Sequence, residues 1–446
     1  MTLTGTETRT LIRAIGRWSL IAAIVNGVVG SSIFAMPAVV AGLVGAWSPV
    51  AVLLGGACIF VIVLCFAEVG SRFDQAGGPY LYTREAFGPA IGFQVGWLNI
   101  WTRLLSAAAV LNVLTTHLGG LVPVMATPAG RSAAMIASVV IVTLANIIGV
   151  KRATWTTNVF TVAKLLPLGV LIGVGCFAVS GGAIASQRVA APRWADAVLL
   201  LVFSYGGFES AVSAAGEARD PRGDTGFALI TAMAIVTVLY SLVQVVIIGV
   251  LPNAASIETP VASTLGALLG AGGRTFGNAG VVISTFGWLV GFALMTPRIL
   301  YAMGDRGELP AMFASVHPRH RTPHVAIMIN SAIATAMGLF SSFTQAATLA
   351  AIAKLGIYGL TCASVIVFRR RRAPSAGLLI AGGPAFAVAG IGVCIWLLTT
   401  RDLGQLWLLG GVMIVGAIIR ATCSRAGLES LAPAPKSPPP RSTEAH

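Results

Sequence analysis

Two apolar stretches of the chain are interrupted by glycine and serine, and these interruptions are suited to binding a small charged molecule. They are residues 26–37 (NGVVGSSIFAMP) and residues 203–210 (FSYGGFES). A helix that unwinds leaves free backbone N–H groups at the start of one half-helix, and these groups, with the helix dipole, bind a carboxylate. The free carbonyl groups at the end of the other half-helix accept hydrogen bonds from an ammonium group. Two facing breaks therefore match the two ionic ends of an α-amino acid.

The alternative is that the glycines only allow close helix packing, as small residues do in membrane helices. Each interruption, however, combines glycine with serine and is followed by an aromatic residue, Phe34 in the first and Phe208 in the second. Two such breaks at corresponding positions favour a binding site over simple packing.

Lys164 has the most informative surroundings of the charged residues in apolar stretches. It lies close to Pro167, which removes the helical hydrogen bond to the carbonyl of Ala163 and leaves polar backbone beside the ammonium group. Desolvation favours the neutral form of a lysine, so a buried lysine can gain and lose a proton near physiological pH. We expect Lys164 to couple proton movement to function. The alternative is a structural lysine that holds backbone carbonyl groups.

Three further basic residues interrupt apolar stretches, where each charge is costly. Arg103 lies near the middle of its stretch and must meet a partner or a water-filled cavity. Arg298 lies near the end of its stretch, so its side chain can reach the membrane surface. Lys354 has two equally supported interpretations: its side chain reaches the membrane surface, or it lines a vestibule.

The elements that carry these residues are membrane helices. The chain has 446 residues, of which 56% are hydrophobic and 10% charged, whereas a soluble domain carries about 25% charged residues. This composition excludes a soluble enzyme, a disordered protein and a disulfide scaffold, and favours a polytopic all-α membrane protein. The net charge of +14 reflects basic cytoplasmic loops rather than nucleic-acid binding. The six cysteines lack metal-ligand spacing, so we expect no metal.

Twelve stretches are long and apolar enough to be predicted transmembrane spans, and we number them in chain order. With the N-terminus inside, 20 Lys and Arg residues fall in inside segments and 5 in outside segments. This bias predicts that both termini are cytoplasmic. The spans are residues 18–43, 47–70, 88–114, 132–150, 155–180, 194–216, 227–250, 279–303, 324–343, 346–368, 377–399 and 403–420.

The two interruptions fall in spans 1 and 6, each of which opens a set of five spans. This is the pattern of inverted repeats with discontinuous helices. We predict a cytoplasmic N-terminal segment (1–17) and a transmembrane domain (18–420), followed by a disordered cytoplasmic tail (421–446). The transmembrane domain comprises a first repeat (about 18–180), a second repeat (about 194–368) and two extra helices (about 377–420).

Several motifs resemble those of the amino acid–polyamine–organocation transporters. Residues 30–34 (GSSIF) are similar to the family's GSGIF, with Ser32 in place of the second glycine. Residues 66–72 (FAEVGSR), 215–221 (AGEARDP) and 298–310 (RILYAMGDRGELP) resemble its conserved cytoplasmic loops. The resemblance implies a LeuT-like fold of two inverted five-helix repeats with two extra C-terminal helices.

The resemblance also implies a substrate site. Backbone amides of Ser31, Ser32 and Ile33 would hold the substrate carboxylate, and Val25, Asn26 and Ser204 would surround its ammonium group. Phe203 would close over the substrate, and Lys164 matches the lysine that replaces a sodium ion in proton-coupled relatives. The full predicted substrate-binding set is Val25, Asn26, Gly30, Ser31, Ser32, Ile33, Phe203, Ser204, Gly206 and Phe292.

Other charged residues leave their roles open. Glu209 matches an acidic residue common in the family, and with Arg103 it is a candidate for selectivity or coupling; a structural ion pair is the alternative for Glu209. Charges of alternating sign at predicted cytoplasmic ends form either an inner gate of salt bridges or ordinary solvated loops. They are Glu68, Arg72, Glu85, Glu217, Arg219, Asp305 and Arg306.

These observations predict a proton-coupled secondary transporter of amino acids in the cell membrane, working by alternating access. The alternative is an exchanger of cationic amino acids or polyamines. An enzyme is not expected, since neither HExxH nor GxSxG occurs in the chain. The expected partners are a small amino acid and the lipid bilayer, without nucleic acid, and no cofactor is expected beside the coupling proton.

Overall fold

The structure is a computed structural model that describes residues 16–73, 77–148, 153–209, 220–371 and 377–430. Within these ranges the regular secondary structure is helical. The α-helices are α1 (Arg17–Val28), α2 (Ser32–Val44), α3 (Ser48–Gly70), α4 (Gly78–Phe87), α5 (Pro89–Gly119), α6 (Pro128–Ile148), α7 (Ala153–Gly175), α8 (Gly181–Ala185), α9 (Trp194–Ser204), α10 (Pro221–Val250), α11 (Pro260–Asp305), α12 (His324–Phe340), α13 (Phe343–Arg370), α14 (Gly383–Thr399) and α15 (Leu403–Ser430).

Seven helical segments in the described residues are long and apolar enough to cross a membrane, and five shorter helices are also apolar. Their outward faces carry large apolar side chains. On α15, for example, Leu403, Trp407 and Ile418 are exposed. Such faces suit contact with lipid rather than with water.

The first predicted interruption separates α1 from α2. Helix α1 ends at Val28 and α2 begins at Ser32, so residues 29–31 are not helical. The second interruption ends α9 at Ser204, and residues 205–207 form a turn before helical geometry resumes at 208–209. Glycine destabilises a helix interior by about 1 kcal/mol relative to alanine, and each break contains it.

Two helices differ from the predicted spans. Helix α11 begins at Pro260, ahead of predicted span 8. It consists of two helical segments, and the chain turns between them at Gly270 (φ 70°). Helix α15 continues to Ser430, so residues 421–430 are helical and the prediction of a disordered tail from residue 421 is wrong there. The helix can extend because no proline, which would stop it, lies between its start at Leu403 and Pro433. Residues 431–446 and 1–15 lie outside the described residues.

Buried apolar side chains form two clusters that together enclose the site. The larger one joins α1, α2, α3, α9, α10 and α13. The smaller one joins α5, α6, α11 and α12. Helix α5 packs against both α11 and α13, and α7 packs against α11, so helices of the two clusters are held side by side.

Candidate functional site

The breaks in predicted spans 1 and 6 lie against each other. A Cβ atom on Gly207 would overlap the carbonyl oxygen of Gly27, and Gly207 has φ +119°, which other residues rarely adopt. A Cβ atom on Gly27 would lie 3.4 Å from the carbonyl oxygen of Gly207. Glycine is therefore required at position 207, whereas a Cβ atom at position 27 would make only an ordinary van der Waals contact.

Tyr240 of α10 ties the two breaks together. Its hydroxyl lies 3.0 Å from the carbonyl oxygen of Val28, at the end of α1, and 3.2 Å from that of Ser204, at the end of α9. The side chain is buried, with 3% of its surface exposed. Both carbonyls belong to helix ends that lack further helical donors. The single hydroxyl proton of Tyr240 is within hydrogen-bonding distance of both acceptors and can be donated to either half-helix.

A cavity of about 370 Å³ lies at the junction of the breaks. Its size falls within the usual range of small-molecule sites. The lining comes from both breaks and from α5, α6, α7, α11 and α13. Helix α2 points its N-terminus at this cavity through Ser31 and Ser32, and no described side chain caps that terminus. Its free N–H groups can therefore serve a negatively charged ligand.

The cavity brings together most of the predicted site residues. Val25, Ile33 and Ser204 are not among the lining residues. Ile33 instead packs in the larger apolar cluster, and Ser204 turns its carbonyl to Tyr240. The predicted residues that line the cavity are Asn26, Gly30, Ser31, Ser32, Arg103, Lys164, Phe203, Gly206, Glu209 and Phe292.

Lys164 of α7 reaches the end of α1. Its ammonium group donates hydrogen bonds to the carbonyl oxygen of Asn26 and to that of Val29, the latter at 2.7 Å. The residue is buried, with 8% of its surface exposed. The carbonyl end of a helix carries partial negative charge, so the ammonium group is stabilised by backbone dipoles directly beside the break.

Glu209 and Lys354 form a buried ion pair in the cavity wall. Lys354 Nζ lies 3.0 Å from Glu209 Oε1, and the two side chains are 7% and 11% exposed. Glu209 Oε2 accepts hydrogen bonds from Gly207 N at 2.8 Å and from the Tyr358 hydroxyl at 3.3 Å. The carboxylate therefore joins the break after α9 to α13. Of the two interpretations open for Lys354, the structure favours the residue that lines an internal cavity.

Arg103 of α5 lines the same cavity and interacts electrostatically with Glu209. The described lining thus contains three basic side chains, Arg103, Lys164 and Lys354, and the single acidic side chain of Glu209. The cavity carries an excess of positive charge.

Several lining residues were not predicted from the sequence. Asn146 of α6 lines the cavity and donates a hydrogen bond to the carbonyl of Ala293 on α11. Trp288 stacks on Phe292, with ring centroids 5.6 Å apart. The signal for these residues was present, because polar and aromatic side chains inside predicted spans often face a cavity. The polar lining residues Asn99, Thr102, Ser106 and Ser284 carry the same signal.

The predicted cytoplasmic ends contain ion pairs. Glu68, which is 1% exposed, accepts hydrogen bonds from Arg369 Nε at 2.6 Å and Arg369 Nη2 at 2.8 Å, and Arg72 lies 3.7 Å away. Arg84 and Glu308 form a looser pair at 3.9 Å. Glu217 and Arg219 lie outside the described residues. Arg298 is exposed and does not line the cavity.

Comparison with known proteins gives the chain its family. A family model described as "Amino acid permease" matches residues 15–418. The chain is 27% identical to the serine/threonine exchanger SteT of Bacillus subtilis, over 82% of this chain and 85% of the relative. It is 25% identical to the branched-chain amino acid permease BcaP of the same organism, over 91% and 93%. It is also 26% identical to the vacuolar cationic amino acid transporter 4 of Arabidopsis thaliana, over 71% and 56%.

The names of these relatives cover hydroxylated, branched-chain and cationic amino acids, so they leave the substrate side chain open. They agree in describing transporters rather than enzymes. With the family match across most of the chain and the apolar helices described above, they lead to one conclusion: this multi-pass membrane protein belongs to the amino acid permease family.

Proposed function

We propose that the protein is a proton-coupled secondary transporter that binds an amino acid at the junction of the two breaks and carries it by alternating access. One observation supports the proposal above the others. The uncapped N-terminus of α2 and the carbonyl end of α1 face one cavity of amino acid size. That cavity offers donors for a carboxylate and acceptors for an ammonium group.

In this proposal the substrate carboxylate lies against the backbone N–H groups around Ser31 and Ser32. The substrate ammonium group lies near Asn26 and the end of α9. Phe203 and Phe292, which line the cavity, cover the bound molecule. The remaining cavity space accommodates the substrate side chain.

Lys164 is the proposed proton-coupling residue. Its ammonium group holds the carbonyl groups of Asn26 and Val29 at the break. Loss of its proton would remove a donor and a charge from the half-helix that contacts the substrate. Proton movement at Lys164 would therefore change the same backbone that holds the substrate, which is the linkage that symport needs.

The wider architecture of the proposal follows the sequence prediction. It comprises twelve spans, a LeuT-like five-plus-five inverted repeat and two extra helices. The protein lies in the cell membrane with both termini cytoplasmic. The two breaks occupy matching positions in this arrangement, and alternating access then moves one helix set against the other around a fixed site.

An exchanger remains the second candidate function. It is favoured by the similarity to SteT, which is described as an exchanger. An exchanger would need internal substrate for uptake and would not respond to a proton gradient.

Proteoliposomes distinguish the two. We expect sodium-free vesicles with a neutral interior and an acidic exterior to accumulate a labelled amino acid, and Lys164→Ala to abolish this accumulation while retaining some exchange. Arg298→Ala, which changes an exposed charge outside the cavity, serves as the control. Accumulation by Lys164→Ala at the wild-type level would contradict proton coupling through Lys164. Uptake that needs internal substrate and ignores pH would establish the exchanger.

A further inference from the structure

Lys354 occupies a position that a substrate side chain would otherwise use. It projects from α13 into the break after α9, where a Cβ atom on Gly206 would overlap its Nζ atom and lie 3.0 Å from its Cε atom. The side chain is 7% exposed. The ammonium group therefore fills the space beside the glycines, inside the cavity wall rather than at a membrane surface.

Glu209 is the acidic side chain of the described cavity lining, and its carboxylate already has several donors. Lys354 lies 3.0 Å from one oxygen, while Gly207 N and the Tyr358 hydroxyl donate to the other. Binding a cationic substrate side chain at this carboxylate would require displacing the lysine. Displacing the lysine would leave its buried ammonium group without this carboxylate partner, which is unfavourable.

Phe203 offers the other favourable surface for a cation, the face of its aromatic ring. Lys354 Nζ lies 6.0 Å from the centre of that ring. The same ammonium group thus competes for both features that attract a cationic side chain. Arg103 and Lys164 add further positive charge to the lining, so an incoming cation meets repulsion rather than an unoccupied anionic subsite.

We propose that Lys354 is a specificity-determining residue that restricts the site to amino acids with neutral side chains by occupying the cation subsite formed by Glu209 and Phe203. This inference rests on the proposed amino acid site and adds its substrate class. It excludes the alternative substrates considered from the sequence, the cationic amino acids and polyamines.

The purely structural interpretation is that the ion pair only holds the break after α9 against α13. The two interpretations predict different outcomes when the charge of Lys354 alone is removed. If Lys354 only holds the helices together, its loss weakens all transport alike. If it blocks a cation subsite, its loss frees the Glu209 carboxylate, and a cationic side chain can replace the missing ammonium group.

The test uses the full-length protein in proteoliposomes and compares L-lysine with L-norleucine as inhibitors of labelled neutral amino acid exchange. Norleucine has the same carbon chain and lacks the side-chain ammonium group. For the wild type we expect norleucine to inhibit and lysine to be ineffective. For Lys354→Met we expect inhibition by lysine to strengthen by about tenfold or more, which corresponds to about 1.4 kcal/mol.

The double variant Lys354→Met/Glu209→Gln is the matched control, because it keeps the cavity shape and removes both charges. We expect it to retain norleucine inhibition and to lose the gain for lysine. If Lys354→Met unfolds, Lys354→Met/Glu209→Gln and Glu209→Gln are compared instead, and inhibition by lysine in either one would overturn the proposal. Unchanged lysine inhibition in a folded Lys354→Met would also overturn it. Absence of any amino acid exchange by the wild type would instead contradict the proposed function.

Discussion

At the scale of single residues, the site depends on glycines, which have no side chain to fill the space between neighbouring segments. Gly27 and Gly207 let the backbones of two interrupted helices meet, and Gly206 leaves room for Lys354. A side chain at position 207 would overlap the backbone of Gly27, whereas one at position 206 would displace the end of the Lys354 side chain. In the proposed function, the contacts with the substrate carboxylate and ammonium groups come from the backbone, and side chains supply proton coupling and specificity.

Gly207→Ala tests this dependence. A residue other than glycine at φ +119° costs about 1–3 kcal/mol, and the added methyl group would overlap the carbonyl of Gly27. We expect amino acid transport to fall at least about tenfold, as measured by exchange in proteoliposomes.

The control is Gly173→Ala on α7, where a Cβ atom would meet no neighbour within 4 Å. It should transport at the wild-type rate. Wild-type transport by Gly207→Ala would show that close contact between the breaks is not required.

The two helix breaks could be predicted from the sequence, because local composition carries the signal. Glycine and serine inside apolar stretches mark the positions of both breaks. The polar backbone expected beside Lys164 was the Ala163 carbonyl of its own helix, whereas its ammonium group contacts the carbonyls of Asn26 and Val29. These contacts are the ones expected of a structural lysine, so proton coupling stays a proposal. The pairing of Glu209 with Lys354 joins residues far apart in the chain, and only the packing of α9 against α13 reveals it. A rule that every membrane-buried acid needs a partner would have identified Lys354 as a candidate.

At the scale of helices, the C-terminal end of α3, which is predicted to be cytoplasmic, is joined to α13 and to the segment before α14. Glu68 accepts two hydrogen bonds from Arg369, and Arg369 also donates to the carbonyl oxygen of Ile380 at 2.7 Å. Glu68 Oε2 accepts a further hydrogen bond from Ile380 N. One buried carboxylate thus joins three segments, which makes this network suited to fixing this end of the helix bundle.

Arg369→Met should destabilise the protein, because it leaves the buried Glu68 carboxylate short of its strongest partner. Removing one member of a buried pair costs about 3–5 kcal/mol. Since Arg369 is 29% exposed and Arg72 remains nearby, we expect a loss near the lower end of that range. Thermal unfolding of the detergent-solubilised protein measures it as a lower Tm.

Arg370→Met is the matched control, since the neighbouring arginine is exposed, and its Tm should equal that of the wild type. Glu68→Gln/Arg369→Met should recover part of the loss. Equal Tm values for Arg369→Met and Arg370→Met would show that the network contributes nothing to stability.

The helices also show the limit of span prediction. Apolar length located the helices well, but it did not predict the kink of α11 at Gly270 or the extension of α15 to Ser430. A glycine kink inside a helical stretch depends on the groups that pack on either side of it. A helix end beyond the membrane depends on where the first helix-breaking residue falls, which here comes after residue 430.

At the scale of the whole molecule, two apolar clusters enclose a polar cavity. Among its described lining residues, basic side chains outnumber acidic ones. The clusters provide the rigid surroundings, while the cavity holds the exposed ends of interrupted helices. In the proposed function, this site recognises the backbone of an amino acid through both of its ionic groups. The substrate side chain is then recognised by the remaining residues that line the cavity.

The most direct test of recognition by two facing helix breaks is the thermal stability of the purified protein with different ligands, because a ligand that binds the folded state raises Tm. An amino acid is compared with two analogues, each of which lacks one of its ionic groups. The ligands are L-alanine, ethylamine, which lacks the carboxylate, and propionate, which lacks the ammonium group, at equal concentrations. We expect L-alanine, or another neutral amino acid matched in the same way, to raise Tm, and neither analogue to do so. An equal rise with ethylamine or with propionate would contradict recognition by two facing helix breaks.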